Sequence, residues 1–261
     1  MYDLSPLNIV LLVAAGVGSG FINTLAGGGS LLTLPALILL GMPADFANGT
    51  NRISVLAQSA STVMGFHGAG KFDSKAAVSI LAPAAFGSLI GSLTATWIDP
   101  KLLEPLLLFA MLAMAAVLAL RPKAIAPTEA VLNLTVQEKP VAIFYLFLVG
   151  LYGGFAQAGV GYLSLLVLGA VLRYDLVRAN ALKIAISGMF GIVPLAVFLL
   201  AGKVLWVPGA VLAVATIVGS RLGVRFALDA KADTLRWILF GCVVLACSVL
   251  LWRRFGPLVM G

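Results

Sequence analysis

The chain of 261 residues is 61% hydrophobic, has only 10% charged residues and carries a formal charge of +7. This is too little polar surface to cover a water-soluble globule of that size, so lipid must solvate the chain. The Lys and Arg residues stand singly between apolar runs and form no continuous basic face, which argues against nucleic-acid binding. The composition predicts an all-α polytopic membrane protein.

Apolar runs close to the ~20 residues that cross ~30 Å of hydrocarbon as a helix predict the membrane spans. No basic residue precedes the first run, so we interpret it as a membrane segment and not as a cleaved signal peptide. This criterion gives eight candidate spans, at 8–25, 52–67, 76–97, 102–120, 141–157, 185–201, 205–226 and 235–252.

Two shorter apolar runs, 30–40 and 164–172, cannot cross the bilayer alone and follow glycine-rich breaks. They predict half-helices, because irregular backbone at membrane depth is tolerated where protein or a water-filled cavity surrounds it. Each half-helix either forms a re-entrant hairpin with the helix before it or crosses the bilayer with it, and the sequence leaves both open.

The second half of the chain repeats the first. Shifts of 134 and then 132 positions align Gly16, Gly20, Gly27, Ser30, Asn48, Gly87 and Gly91 with Gly150, Gly154, Gly161, Ser164, Asn180, Gly219 and Gly223. The pattern predicts one fold built twice, with a first membrane repeat at 1–120, a polar linker at 121–140 and a second repeat at 141–261.

The distribution of Lys and Arg predicts that the two repeats have inverted topology. If each repeat crosses an odd number of times, twelve of these residues fall on one face and five on the other, whereas parallel halves give eight against nine. Cytoplasmic loops carry the excess of positive charge, so inverted halves are favoured. We therefore expect a cytoplasmic linker and periplasmic termini in a bacterial inner membrane.

The first glycine break predicts an anion-binding site. Glycine lets the backbone approach a ligand closely and present its N–H groups, and the positive end of the helix that begins near Ser30 points at the same place. The alternative is that these glycines only allow close helix packing. The candidate ligands are Asn23, Gly27, Gly28, Gly29 and Ser30, with Gln157, Gly159, Gly161 and Ser164 at the equivalent break.

A second polar segment runs from Asn48 to Arg52, with 180–183 opposite it in the other half. Each is predicted to open a long helix after a cap-type Asn and to supply one cation near the apolar boundary. The forked Arg52 suits an oxyanion and Lys183 would act as a point charge, unless both side chains snorkel to headgroups. The candidate ligands here are Asn48, Thr50, Asn51, Arg52, Asn180 and Lys183.

All ten acidic residues are predicted to lie in termini, loops or the linker. Cation carriers and carboxylate proton relays normally need an acid within the membrane, so the pattern disfavours both. The sole histidine, His67, ends a predicted helix and either couples transport to protons or is a solvated boundary residue. Cys242 and Cys247 are expected to be inert thiols that face lipid or pack inside the protein. We predict no metal, no cofactor and no catalytic residue.

The first-half motifs are specific. The run from Gly20 to Leu37, GFINTLAGGGSLLTLPAL, followed by ANGTNR up to Arg52, resembles the TauE/SafE family, also called the sulfite exporter family. The resemblance implies export of sulfite or of small organosulfur anions such as sulfoacetate. The second half has Ala181, Leu182 and Lys183 where an echo of Gly-Thr-Asn is expected. The motif positions carried over are Asn23, Gly27, Gly28, Gly29, Ser30, Pro35, Asn48, Gly49, Thr50, Asn51 and Arg52.

These patterns together predict a secondary transporter that exports a small anion by alternating access between the two halves. No P-loop of the Gly-x-x-x-x-Gly-Lys-Ser/Thr kind occurs in the sequence, so a gradient or a partner must drive export. The first alternative is a passive anion channel. A remote one is an intramembrane hydrolase that pairs Ser19, Ser30 or Ser187 with His67. The predicted partners are the small anionic solute and the lipid bilayer, and a homo-oligomer is left open.

Overall fold

The computed structural model describes residues 5–68, 74–120, 133–174 and 176–226 and the single positions 244, 248 and 252. Its regular secondary structure within the four continuous ranges is entirely helical. The helices there are α1 Pro6–Ala26, α2 Ser30–Leu39, α3 Ala44–Gly68, α4 Ser74–Trp97, α5 Pro100–Leu120, α6 Val141–Phe155, α7 Val160–Leu166, α8 Leu176–Leu200 and α9 Trp206–Phe226. A π-helical turn, Val167–Val171, continues α7.

Five helices of the described chain are long and apolar enough to cross a membrane, and they confirm a multi-pass membrane protein. They are Pro6–Thr24, Ala77–Trp97, Pro100–Val117, Arg178–Leu200 and Trp206–Gly223. Large apolar side chains on their outer faces, among them Phe86 and Phe109, are exposed, as contact with lipid requires.

The other three predicted spans differ from these five. The predicted span 52–67 lies in α3, which has 25 residues but contains too many polar side chains to count among the five apolar helices. Helix α6 has 15 residues and is about 22 Å long at 1.5 Å per residue, which is less than the hydrocarbon thickness. The run 235–252 lies outside the described residues except at positions 244, 248 and 252.

The first break is short. Helix α1 continues through Asn23 to Ala26, Gly27 takes the left-handed conformation with φ 78°, and α2 begins at Ser30 as predicted. In the second half α6 ends at Phe155, and α7 already begins at Val160. The predicted start of this short helix at Ser164 is therefore wrong by four residues.

The left-handed conformation of Gly159, with φ 75°, explains that earlier start. It turns the chain back into a helix at once, and Ser164 then lies inside α7, where its hydroxyl donates to the carbonyl oxygen of Val160 at 3.0 Å. Gln157 shares the left-handed region, with φ 60°, which is unfavourable for a residue other than glycine.

The long helices α3 and α8 begin earlier than predicted, at Ala44 and Leu176. Asn48 and Asn180 therefore lie inside these helices and do not precede them. Asn is a weak helix former, and at Asn48 a tertiary contact compensates, because its side-chain amide donates to the carbonyl oxygen of Phe155 at 2.6 Å.

Glycines mediate two extensive helix crossings, α1 with α9 and α4 with α6. A Cβ on Gly20 or Gly219 would overlap backbone across the first crossing, and a Cβ on Gly87 or Gly154 would do so across the second. These glycines are the ones that the internal repeat aligns. Their role here is close helix packing, which small residues allow in membranes.

The two breaks meet each other. A Cβ on Gly27 would lie 2.8 Å from the carbonyl carbon of Gly161, and a Cβ on Gly161 would lie 2.7 Å from the carbonyl oxygen of Gly27. These two glycines correspond under the repeat, so corresponding points of the two halves touch, as a twofold arrangement would place them. The inverted topology and the boundaries 1–120, 121–140 and 141–261 stay predictions.

We predict that Gly87→Ala destabilises the protein by about 1–3 kcal/mol, because the added methyl group would overlap backbone of α6 that cannot move alone. Thermal unfolding in detergent measures the effect. The matched control is Gly18→Ala in α1, where the nearest atom to the new Cβ is Leu32 Cδ1 at 3.4 Å. Equal unfolding temperatures for the two variants would contradict the close crossing.

Candidate functional site

Two cations are buried completely at the centre of the protein. Arg52 lies on α3 and Lys183 on α8, and each side chain has 0% exposure. Because neither side chain is exposed at the protein surface, snorkelling to the headgroups does not describe them. A buried cation is costly in a membrane unless other groups compensate its charge, so their partners decide what they do.

Arg52 binds the end of the opposite half's first helix. Its Nη1 donates to the carbonyl oxygen of Gly153 at 2.6 Å, and its Nη2 donates to that of Gly154 at 2.8 Å. The Nη2 also donates to Asn48 Oδ1 at 2.8 Å. The guanidinium lies over the ring of Phe198, 5.6 Å from its centroid.

The two carbonyls that Arg52 binds have lost their helical partners. In a continuous α6 the N–H groups of Gln157 and Ala158 would bond to Gly153 and Gly154. They bond to the carbonyl oxygens of Tyr152 and Ala156 instead. The arginine therefore supplies the donors that the interrupted helix lacks, and its charge lies at the negative end of the helix.

Lys183 makes the corresponding contact in the other direction. Its Nζ donates at 3.2 Å to the carbonyl oxygen of Asn23, in the last turn of α1. That oxygen also accepts the N–H of Gly27 at 3.1 Å. The first half thus supplies a cation to the end of α6 and the second half supplies one to the end of α1. We call this arrangement the reciprocal cap.

No carboxylate of the described residues contacts either cation of the reciprocal cap. The buried acid Asp45 instead pairs with Lys203, in the turn between α8 and α9. Thr50 strengthens the same link, because its hydroxyl accepts the N–H of Leu205 at 3.0 Å. The described interior therefore keeps two positive charges that only neutral groups contact.

A small cavity lies between α1, α3 and α8, and Asn23, which accepts the bond from Lys183, is one of its lining residues. Its volume is about 10 Å³, room for about one water molecule. The residues that line it are Asn23, Thr24, Gln58, Ser59, Thr62, Ile184 and Ser187. None of these side chains is charged, and six of the seven are polar.

Amide and hydroxyl groups set the chemistry of the cavity wall. Asn23 Nδ2 donates to Gln58 Oε1 at 3.2 Å, and Gln58 Nε2 donates to the carbonyl oxygen of Gly20 at 3.1 Å. The hydroxyls of Ser59 and Ser187 have no hydrogen-bond partner in the described part of the chain. They are free to donate to a bound molecule.

Lys183 does not line this cavity, but it bonds to Asn23, which does. Lys183 and Ser187 are four residues apart on α8 and share one helix face, and Ile184 between them lines the cavity too. Of the candidate ligands that the sequence proposed, the structure brings Asn23 and Lys183 together here. It places Asn48 and Arg52 together at the end of α6.

The backbone of the glycine break bonds to the protein itself. The N–H of Gly29 lies 3.5 Å from Asn23 Oδ1. The N–H groups of Leu31 and Leu32 donate to the carbonyl oxygens of Gly28 and Gly29. Ser30 is buried at the start of α2. The anion site that we predicted from these amide groups stays a prediction.

The remaining candidates lie elsewhere in the described chain. Asn51 Oδ1 accepts the hydroxyl of Thr33 at 2.7 Å. Asn51 Nδ2, Gln157 Oε1 and Asn180 Oδ1 are buried without a hydrogen-bond partner among the residues that the structure describes. None of these three residues lines the cavity between α1, α3 and α8.

Four residues of the cavity wall, Thr24, Gln58, Ser59 and Thr62, were not predicted from the sequence, and Ser187 was predicted only as a nucleophile. A signal existed, because polar residues at 58, 59 and 62 fall on one face of a helix. The side chain of His67 lies outside the described part of the structure, so the hydrolase alternative stays untested.

We predict that Arg52→Gln lowers the free energy of unfolding by at least about 3 kcal/mol. The shorter side chain cannot span both carbonyls of α6, and each buried acceptor left without a donor costs about 1–3 kcal/mol. Thermal unfolding of the purified protein measures the loss.

The matched control is Arg221→Gln, the same chemical change at an exposed position of α9. It should shift the free energy by no more than about 0.5 kcal/mol. If Arg52→Gln were as stable as this control, the arginine would not be holding the interrupted helix.

The known proteins that this chain resembles are named as probable membrane transporters. The chain is similar to the "Probable membrane transporter protein" of Haemophilus influenzae, 28% identical, with 87% of this chain and 88% of the relative covered. It is also similar to YfcA of Escherichia coli K12, the "Probable membrane transporter protein YfcA", 26% identical over 100% of this chain and 96% of the relative.

A further relative is the "Probable membrane transporter protein ORF9" of Sinorhizobium sp., 26% identical, with 92% of this chain and 90% of the relative covered. No solved structure matches the chain. Residues 12–250, which include both cations and the whole cavity wall, match the family described as "Sulfite exporter TauE/SafE". The protein therefore belongs to the TauE/SafE family of membrane transporters.

Proposed function

We propose that this protein is a secondary transporter that exports a small anion, sulfite or an organosulfonate such as sulfoacetate, across the bacterial cytoplasmic membrane. One observation carries the proposal. Two cations, Arg52 and Lys183, are buried in a membrane protein with no carboxylate against them in the described structure. Such an interior attracts anions and repels cations.

The carbonyl partners of the two cations compensate their charge only in part. A carbonyl is a dipole without net charge, so the positive potential of Arg52 and Lys183 extends beyond their hydrogen bonds. A transported anion that enters this region completes the compensation. The excess positive charge of the interior therefore supports transport of an anion over transport of a cation or a neutral solute.

The hydroxyl and amide groups of the cavity support an oxyanion as the solute. Ser59 and Ser187 offer donors without a described protein partner, and Lys183 bonds to Asn23 of the cavity wall. Sulfite and sulfonate groups present three oxygens that accept such donors. The family description supports the same choice, because it names sulfite as the exported solute.

The size of the cavity supports alternating access. A volume of about 10 Å³ holds one water molecule and is smaller than any of these anions. Helices α1, α3 and α8 must therefore separate before a solute can bind. Separation on one side of the membrane at a time would give the rocking motion that transporters of two similar halves use.

We predict saturable efflux of sulfite or sulfoacetate from proteoliposomes that contain the purified protein, because a closing cavity carries one solute per cycle. The same anion on the other side should accelerate it by exchange. Protein-free liposomes and liposomes loaded with choline are the controls and should show none. Flux that rises linearly with concentration, without exchange, would indicate a channel, and absence of flux for both anions would contradict the proposal.

A further inference from the structure

We propose that Lys183, and not Arg52, is the cation that the transported anion binds, and that the anion takes Lys183 from the carbonyl oxygen of Asn23. This inference rests on the proposed function and assigns different roles to the two cations. The binding site is the cavity between α1, α3 and α8, with Gln58, Ser59 and Ser187 as the neutral ligands.

Arg52 has no free pair of donors for an oxyanion. Besides its bonds to Gly153, Gly154 and Asn48, its Nη1 lies 3.4 Å from the carbonyl oxygen of Phe190. The four N–H groups of its two terminal nitrogens thus all have acceptors, and only Nε has no partner within the described part of the chain. Bidentate binding of an oxyanion by Arg52 would therefore need at least one of these hydrogen bonds to break.

Breaking a bond of Arg52 would leave an acceptor without any donor. The N–H groups that would replace it, those of Gln157 and Ala158, are bonded elsewhere. Gly153 and Gly154 lie at the end of a helix and are buried. Release of Arg52 therefore carries the full cost of unsatisfied buried carbonyls, and the residue acts as a fixed clamp between α3 and α6.

Lys183 differs from Arg52 in having donors that are free among the described residues and in having an acceptor that keeps another donor. An ammonium group has three donors, and the structure gives it one acceptor, the oxygen of Asn23 at 3.2 Å. That oxygen keeps the N–H of Gly27 when the lysine leaves, so it is not orphaned. A hydrogen bond from the ammonium to a charged oxyanion is also about twice as strong as one to a neutral carbonyl.

The exchange of partners couples binding to the position of a helix. While Lys183 holds Asn23, the end of α1 is tied to α8. When an anion takes the ammonium, that tie is released while the clamp of Arg52 on α6 remains. Anion binding thus removes one of the contacts that hold the end of α1 on the cavity wall and leaves the clamp on the other interrupted helix unchanged.

The test is the rise in unfolding temperature of the purified protein during titration with sulfite and with sulfoacetate. A ligand that binds only the folded state raises this temperature as its concentration exceeds its dissociation constant. We expect Lys183→Gln to weaken the apparent affinity at least about tenfold, since its amide keeps a donor for Asn23 and loses the charge that binds the anion. The double variant Ser59→Ala, Ser187→Ala should weaken it too and serves if Lys183→Gln does not fold.

The matched control is Ser92→Ala. This buried serine of α4 donates to the carbonyl oxygen of Leu89 and does not line the cavity, so its titration should equal that of the unchanged protein. If Lys183→Gln and the double variant both keep the affinity of the unchanged protein, the assignment to Lys183 is wrong while the proposed transport stands. If neither anion stabilises the unchanged protein, the proposed solute fails and the inference fails with it.

Discussion

The structure depends on satisfying backbone carbonyls where two helices stop inside a membrane protein. Water is scarce at that depth, so each carbonyl without a helical partner needs another donor. Arg52 of the first half supplies these donors at the end of α6. Lys183 of the second half adds a second donor at the end of α1, where the carbonyl oxygen of Asn23 already accepts the N–H of Gly27. The breaks themselves touch at Gly27 and Gly161, and the close crossings of α1 with α9 and α4 with α6 hold them together.

The same solution gives the interior its charge. A neutral donor such as the amide of Asn48 is sufficient at one carbonyl, where it binds Phe155. Cations at the other positions add a positive potential that no described carboxylate cancels, since Asp45 is committed to Lys203. A protein that uses cations to stabilise interrupted helices therefore also prepares a place for an anion. One side chain cannot both hold an interrupted helix and bind the anion. The contacts of Arg52 fit the first role and those of Lys183 fit the second.

Hydropathy predicted five of the spans, because it depends on local composition. Helices α1 and α6 end near the predicted glycine breaks, while the half-helices themselves stay a prediction. The start of α7 at Val160 was missed, since it depends on the left-handed conformation of Gly159. Burial of Arg52 could not be predicted either, because its partners lie about a hundred residues away in the other half. The cavity wall on α3 was within reach, but Gln58, Ser59 and Thr62 were not recognised as one face of a helix. The sequence thus identified Arg52 and Lys183 as candidates, and only the fold shows that the donors of Arg52 are already bonded to the protein.

The most direct test of the central claim is to locate the bound anion. Selenite has the shape and charge of sulfite, and its selenium is visible by anomalous X-ray scattering from crystals grown with it. We expect a selenium peak next to Lys183 Nζ and the hydroxyls of Ser59 and Ser187, with Arg52 still bound to Gly153 and Gly154. A peak against the guanidinium of Arg52, with Lys183 still on the carbonyl oxygen of Asn23, would contradict it.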